Sequence, residues 1–154
     1  NEMIKNALGG YLLQDRDQKS FDIKSCDVVT KLKPVANEFN ALELGWKLVK
    51  YVKSNAIIFA NNNQVLSVGA GQMSRVDSVK NAIRKISETE LSLEGAIMAS
   101  DAFFPFPDCI EIAAKAGIKS IIQPGGSIKD SDAIDVADDL GLSMLFTKAR
   151  HFYH

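Results

Sequence analysis

The chain has 154 residues, enough for one domain with a sizeable core. Hydrophobic residues make up 46% and charged residues 24%, and the net charge is −1, which argues against nucleic-acid or membrane-surface partners. No apolar run approaches a bilayer span, and no signal-peptide pattern opens the chain. Cys26 and Cys109 lie far apart, form no CxxC pair and read as free thiols, which points to a reducing cytoplasm. The first residue is Asn1, not Met, so the chain is expected to start mid-protein or after processing.

The polar opening residues read as a helix-like start, GGYLL as a turn and short strand, and DRDQKSFD as an exposed loop. KLKPVANEFN contains a proline and leads into a helix. In ALELGWKLVKYVKSN, Leu42, Trp46, Val49 and Val52 recur at helical spacing among Lys47, Lys50 and Lys53. That is the pattern of an amphipathic helix, ending near Ser54–Asn55. AIIFA reads as a buried strand, NNNQ as a hairpin turn and VLSVG as the return strand. Ser74, with Asp77 three residues on, predicts the start of a helix running to about Ile86. GAIMAS is then a strand, PDCIEIAAKAG a helix closed by Gly117, KSIIQP a strand and GGS a turn. Asp130 or Ser131 is expected to cap a helix ending at Gly141, and LSMLFT is the last strand before the tail KARHFYH. Strand and helix alternate after the first hairpin, so the expected class is α/β, with helices covering a sheet.

Five segments carry candidate chemistry, each with a plainer structural reading. GAGQMSR sits at a strand-to-helix junction, where glycines and a helix start favour an anion and Arg75 adds charge; the alternative is a tight turn with a surface arginine. QPGGSIKD has the same geometry but is a good turn by itself and reads as mostly structural. Asn55 in KSNAI either caps a helix end or presents an amide to a reacting oxygen, with the cap favoured on sequence alone. His151 and His154 in RHFYH are a base, a ligand or idle surface groups, and nothing resembles CxxC, HxE or HExxH, so no zinc is expected. In SDAFFPFPD, Pro105 and Pro107 forbid regular structure around three rings. The segment is either a strand running into the core with a proline stop or a slot for a flat ligand.

Taken in order, SNAI, VLSVGAGQMSRVDSV, ASDAFFPFPD, IIQPGGSI and RHFYH resemble the C-terminal part of AICAR transformylase. That activity belongs to the bifunctional purine-biosynthesis family that also carries IMP cyclohydrolase. The resemblance runs from LGGYLLQDRD to the final histidine. It implies transfer of a formyl group from 10-formyltetrahydrofolate to the amine of AICAR, on the way to IMP. It also implies a cytidine-deaminase-like α/β subdomain, a mixed sheet with helices packed on it and no zinc site. Residues 41–154 would form this subdomain, and 1–40 would link it to an upstream transformylase subdomain.

Residue by residue, the resemblance implies that Asn55 is the catalytic asparagine and that His154 lies near the substrate. Arg75 and Phe103 match nucleotide contacts, and Arg150 matches an arginine on the nucleotide phosphate. Pro105, Phe106 and Asp108 match the folate side. Pro107 stands where the family usually has arginine, which affects local loop shape. Asp101 matches a position associated with potassium. The family's Lys-His pair and its cyclohydrolase domain lie upstream, so the chain is expected to be inactive alone and to act in a homodimer. The alternatives are a non-catalytic nucleotide-binding module and a deaminase-like hydrolase of the same fold.

Overall fold

The computed structural model describes residues 2–17, 21–151 and 153. Strands β1 (Glu2–Ala7) and β2 (Gly10–Asp15) pair antiparallel, from Glu2 opposite Asp15 to Ala7 opposite Gly10. The opening segment is therefore a strand and not a helix start. Leu8 and Gly9 form the turn, and Gly9 takes φ +81°, a conformation that glycine adopts at little cost. Six polar and apolar residues without helical periodicity then pair the inward-facing half of their backbone groups across the ribbon.

A 3-10 turn (Ile23–Ser25) and the two-residue strand β3 (Asp27–Val28) follow, neither of which had a sequence signal. Helix α1 (Ala36–Val49) starts with the Val35 N–H donating to Glu38 Oε2 at 2.9 Å. It buries Leu42, Trp46 and Val49 as the spacing predicts, but ends before Val52, with Lys50 at its C-cap. Strands β4 (Ile57–Ala60) and β5 (Val65–Gly69) form the expected hairpin. Helix α2 (Arg75–Ser87) starts at Ser74, whose Oγ accepts from the Asp77 N–H at 3.2 Å. Strand β6 (Ile97–Ser100), helix α3 (Asp108–Lys115), strand β7 (Ser120–Gln123), helix α4 (Asp130–Asp139) and strand β8 (Ser143–Phe146) complete the alternation. The start of α4 departs from expectation. Lys129 holds the N-cap position, and Asp130 turns its carboxylate back to the Gly126 N–H at 2.7 Å.

The main sheet has six strands in the order β3-β8-β7-β6-β4-β5. Strands β6, β7 and β8 run parallel, β4 is antiparallel to β6 and to β5, and β3 is antiparallel to β8. The fold is a mixed sheet with helices on both faces. On one face α1 packs Leu42, Trp46 and Val49 against Ile58, Ile97, Ile122 and Leu145. On the other, Val79, Ile110 and Ala133 from α2, α3 and α4 meet Ile57, Phe59, Met98, Ile121 and Met144. Alternate strand residues feed opposite layers, as the period of two requires. Among the described residues no helix is long and apolar enough to cross a membrane.

Candidate functional site

Ile57, the first residue of β4, lies opposite Ser100, the last of β6, and opposite Gly69, the last of β5. Phe146 at the end of β8 pairs with Gln123 at the end of β7. The segments around 54–55, 70–75, 101–108, 124–130 and 147–151 therefore all emerge at one edge of the sheet. Open α/β sheets bind ligands beyond the carboxyl ends of their parallel strands.

Asp101 is the hub of this edge, with only 1% of its surface exposed. Its Oδ1 accepts from Arg75 Nη2 at 2.7 Å, and its Oδ2 accepts from Ser54 Oγ at 2.5 Å. Its backbone N–H donates to the Ala56 carbonyl at 3.3 Å, and its own carbonyl accepts from the His151 N–H at 3.1 Å. A buried carboxylate needs such compensation, and the guanidinium supplies charge as well as hydrogen bonds. Arg75 also donates from Nε to Ser100 Oγ at 2.9 Å, and Nη1 lies 3.4 Å from the Phe103 carbonyl. Arg75 is thus a brace between α2 and the segment after β6. Both oxygens of Asp101 are thus engaged, one of them by a guanidinium. Among the described residues no three His, Cys, Asp or Glu side chains gather as a metal site.

Asn55 does not cap α1, whose C-cap lies five residues earlier. Its Nδ2 donates to the Gln72 carbonyl at 2.9 Å, and its backbone carbonyl accepts from Ser78 Oγ at 2.7 Å. The amide is therefore held between the GAGQ loop and the first turn of α2. Ser54, its neighbour, donates its backbone N–H to the Tyr153 carbonyl at 2.9 Å.

The three phenylalanines separate. Phe104 is buried in the core, Phe103 is half-buried with the Arg150 guanidinium 4.5 Å above its ring, and Phe106 is 56% exposed. Lys129 Nζ sits 4.6 Å from the Phe106 ring centroid. Pro107 is the N-cap of α3, and Asp108 is the first residue of that helix, its carboxylate accepting the Cys109 N–H at 2.8 Å. Burial, reinforced by Asp108, pushes the Cys109 thiol up to about 12. Burial likewise pushes Cys26 up to about 11, helped by Asp27 and Asp22. Both thiols stay protonated at neutral pH, which makes them poor nucleophiles.

The PGGS loop is more than the structural turn its sequence suggests. In the structure it forms, with Lys148 and Arg150, a hollow of about 280 Å³ lined by Pro124, Gly125 and Gly126. Gly125 sits at φ +70°, and a Cβ there would come within 2.6 Å of the Phe146 ring, so only glycine fits. Gln123 is fully buried and accepts the Gly125 N–H at 3.0 Å through Oε1. The Arg150 guanidinium lies 3.5 Å from the Gly126 carbonyl. Lys148, at φ +56°, pairs with Asp27 at 2.5 Å. With Lys148 already paired, Arg150 is the cation left beside the exposed Gly126, an arrangement that suits an anion. The signal in the sequence was a Gly-Gly pair at a strand end; the missing half was that KAR folds back beside it.

Asn55, Arg75, Asp101, Phe103 and Arg150 are thus gathered at one edge, with Pro105 and Phe106 on the adjoining loop and Asp108 at the start of α3. His154 lies outside the described residues. His151, read as a candidate for an idle surface group, is instead buried at 4% exposure.

The AICARFT/IMPCHase bienzyme family model matches residues 1–85. The chain belongs to this family. It is 50% identical over 151 residues to the bifunctional purine biosynthesis protein PurH of Aquifex aeolicus, covering 98% of this chain and 29% of that protein. PurH of Staphylococcus carnosus is 52% identical over 146 residues, covering 95% of this chain and 29% of that protein. The match to PurH of Bacillus mycoides is 50% identical over 154 residues, covering 100% and 30% respectively. The chain therefore spans about 29% of the length of these family relatives. Among solved structures, dCMP deaminase from the cyanophage S-TIM5 in complex with dCMP and dUMP aligns at TM-score 0.46 and 23% identity. That alignment covers 67% of this chain and 88% of the deaminase. The apo form of the same enzyme aligns at TM-score 0.49 and 22% identity, covering 73% and 98%.

Proposed function

We propose that this chain is the part of a bifunctional purine-biosynthesis enzyme that binds AICAR and 10-formyltetrahydrofolate for formyl transfer. The observation that carries the reading is the Arg150 guanidinium, stacked on Phe103 beside the Gly125–Gly126 hollow, on the same sheet edge as the held amide of Asn55. In this reading Arg150 and the hollow take the nucleotide phosphate, and Phe103 and Arg75 frame the base. The exposed Phe106, with Pro105 and Asp108, offers an apolar face and a carboxylate edge to a flat pterin. His154 is assigned a place near the reacting groups. Potassium stays part of the reading at Asp101, whose oxygens each keep acceptor capacity beside the bonds to Arg75 and Ser54.

In the reaction the amine nitrogen of AICAR attacks the formyl carbon and loses a proton. The bond from that carbon to N10 of the folate breaks, and N10 gains a proton. Negative charge builds on the formyl oxygen between these events. With one N–H of Asn55 on the Gln72 carbonyl, the amide plane is set and its second N–H is available to that oxygen. Holding both reactants on one edge supplies the rest of the acceleration that this region contributes. The remaining parts, including a general base for the poorly nucleophilic amine, are assigned to the upstream subdomain and a homodimer partner. The isolated chain is accordingly expected to show no turnover.

The test is Asn55→Ala in the full-length protein. The expected result is a kcat for formyl transfer lower by about 10²–10³-fold, the usual cost of losing an oxyanion donor. Equal rates would sink the role of Asn55. No transfer by either protein, with nucleotide binding retained, would favour a binding module.

A further inference from the structure

We propose that His151 is a positioning residue for the phosphate-binding arginine beside it, and that Asp17 sets the orientation of its ring. The inference rests on the phosphate role proposed for Arg150.

His151 and Arg150 are consecutive but face opposite ways. The His151 side chain is buried, and the Arg150 side chain is exposed over Phe103. Three contacts fix His151. Its ring packs on Trp46 of α1, with centroids 4.6 Å apart and planes at 46°. Its backbone N–H donates to the Asp101 carbonyl at 3.1 Å. Its Nδ1 is hydrogen-bonded to the carboxylate of Asp17, a residue 134 positions earlier that follows β2. A carboxylate only accepts, so Nδ1 carries the proton of this bond. Nε2 is buried and has no hydrogen-bond partner among the described residues. The direction of the imidazole is therefore set by Asp17, and its plane by Trp46.

This anchoring matters because residues 147 and 148 are tied to the body while the stretch next to Arg150 is not. The Thr147 N–H donates to the Gln123 carbonyl and the Lys148 N–H to the Pro124 carbonyl, both at 3.0 Å, and Lys148 pairs with Asp27, whereas the Ala149 N–H reaches only Thr147 Oγ1 within the same loop. A long guanidinium side chain loses rotamer freedom when it binds. A backbone already pinned at residue 151 lowers that cost and keeps Arg150 over the hollow. His151 touches no proposed ligand position, so its effect passes through Arg150.

The experiment uses the full-length protein and two probes, AICAR and its riboside without phosphate, with affinities measured by calorimetry. His151→Phe keeps a ring against Trp46 but removes the donor. His151→Asn keeps a donor near the position of Nδ1. Loss of a hydrogen bond to a charged group predicts that H151F weakens AICAR binding about tenfold, with riboside binding unchanged. H151N is expected to retain most of the affinity. Asp17→Ala, which removes the acceptor, should reproduce the loss, and the D17A/H151F double variant should bind no worse than either single variant. D17A also serves if H151F fails to fold, because Asp17 lies at the protein surface.

Unchanged AICAR affinity in both H151F and D17A would overturn the proposal. So would an equal loss for AICAR and riboside, or a loss in H151N as large as in H151F, since either would mean simple packing. Wild-type protein that binds AICAR tightly but transfers no formyl group would overturn the transferase reading and leave the positioning role to the same comparison. Wild-type protein that does not distinguish AICAR from its riboside would overturn both.

Discussion

Every residue of β4, β6 and β7 is buried, whereas β2 buries none of its six and leaves Tyr11, Leu12 and Leu13 more than half exposed. β4, β6 and β7 each pair on both sides, whereas β1 and β2 pair only with each other and leave an outer edge without a ladder. The sheet strands are sandwiched between α1 and the α2–α4 layer and gain from apolar burial on both faces. The hairpin has only its own pairing, together with tethers to the body such as Asp17 on His151 and Lys5 over the Tyr153 ring. A two-stranded ribbon alone is marginal in water. Stability in this chain is thus concentrated in the layered body, and the hairpin follows it.

Trp46→Ala puts the greatest strain on that contrast. It removes a 1% exposed side chain that packs on both Phe21 and His151. The expected cost is about 4 kcal/mol, from lost burial plus cavity. Urea unfolding monitored by circular dichroism would read it, and a loss below about 1 kcal/mol would mean that the α1 layer is not a principal support.

A smaller effect comes from Cys109, whose folded pKa of about 12 stands above the ordinary thiol value of 9.0. A group whose folded pKa is raised stabilises fully below its unfolded pKa and loses that contribution as pH rises to the folded value. Stability should therefore fall as pH climbs from about 9 towards 12, with a limiting slope of roughly 1.4 kcal/mol per unit from this thiol. Cys109→Ala should flatten the curve over that window, and identical pH curves would refute the burial argument.

Leu12→Ser marks the other end of the comparison. The side chain is 61% exposed, and its loss in the 154-residue chain should change the unfolding free energy by no more than about 0.5 kcal/mol. A larger change would show that the hairpin is packed more firmly on the body than its exposure implies.

The body was largely legible because its elements carry local signals. The run IIFA-NNNQ-VLSVG announces a hairpin, Ser74 with Asp77 announces α2, and Gly117 closes α3. Strand β1 was not legible, since EMIKNA lacks alternation and becomes a strand only because β2 pairs with it. The N-cap of α4 was misplaced because Asp130 bonds back to Gly126 across the turn rather than capping from outside the helix. At the site, Asn55 looked like a cap because its partner Gln72 is contributed by another loop. The PGGS turn looked complete in itself, since the loop carrying Arg150 is distant in sequence. The pairing of His151 with Asp17 joins residues 134 apart, a relation that no window along the chain contains.

The position of β8 between β3 and β7 has a consequence for synthesis. β3 emerges from the ribosome more than a hundred residues before the strand that will accept it. Until residues 143–151 follow, β7 is an open sheet edge, the Gly125 turn lacks Phe146 beneath it, and the Asp101 carbonyl lacks the His151 N–H. Such long-range closure is slow and leaves strand edges exposed in the meantime. Binding competence should therefore arrive late and in one step, when the last strand slides between its two waiting neighbours.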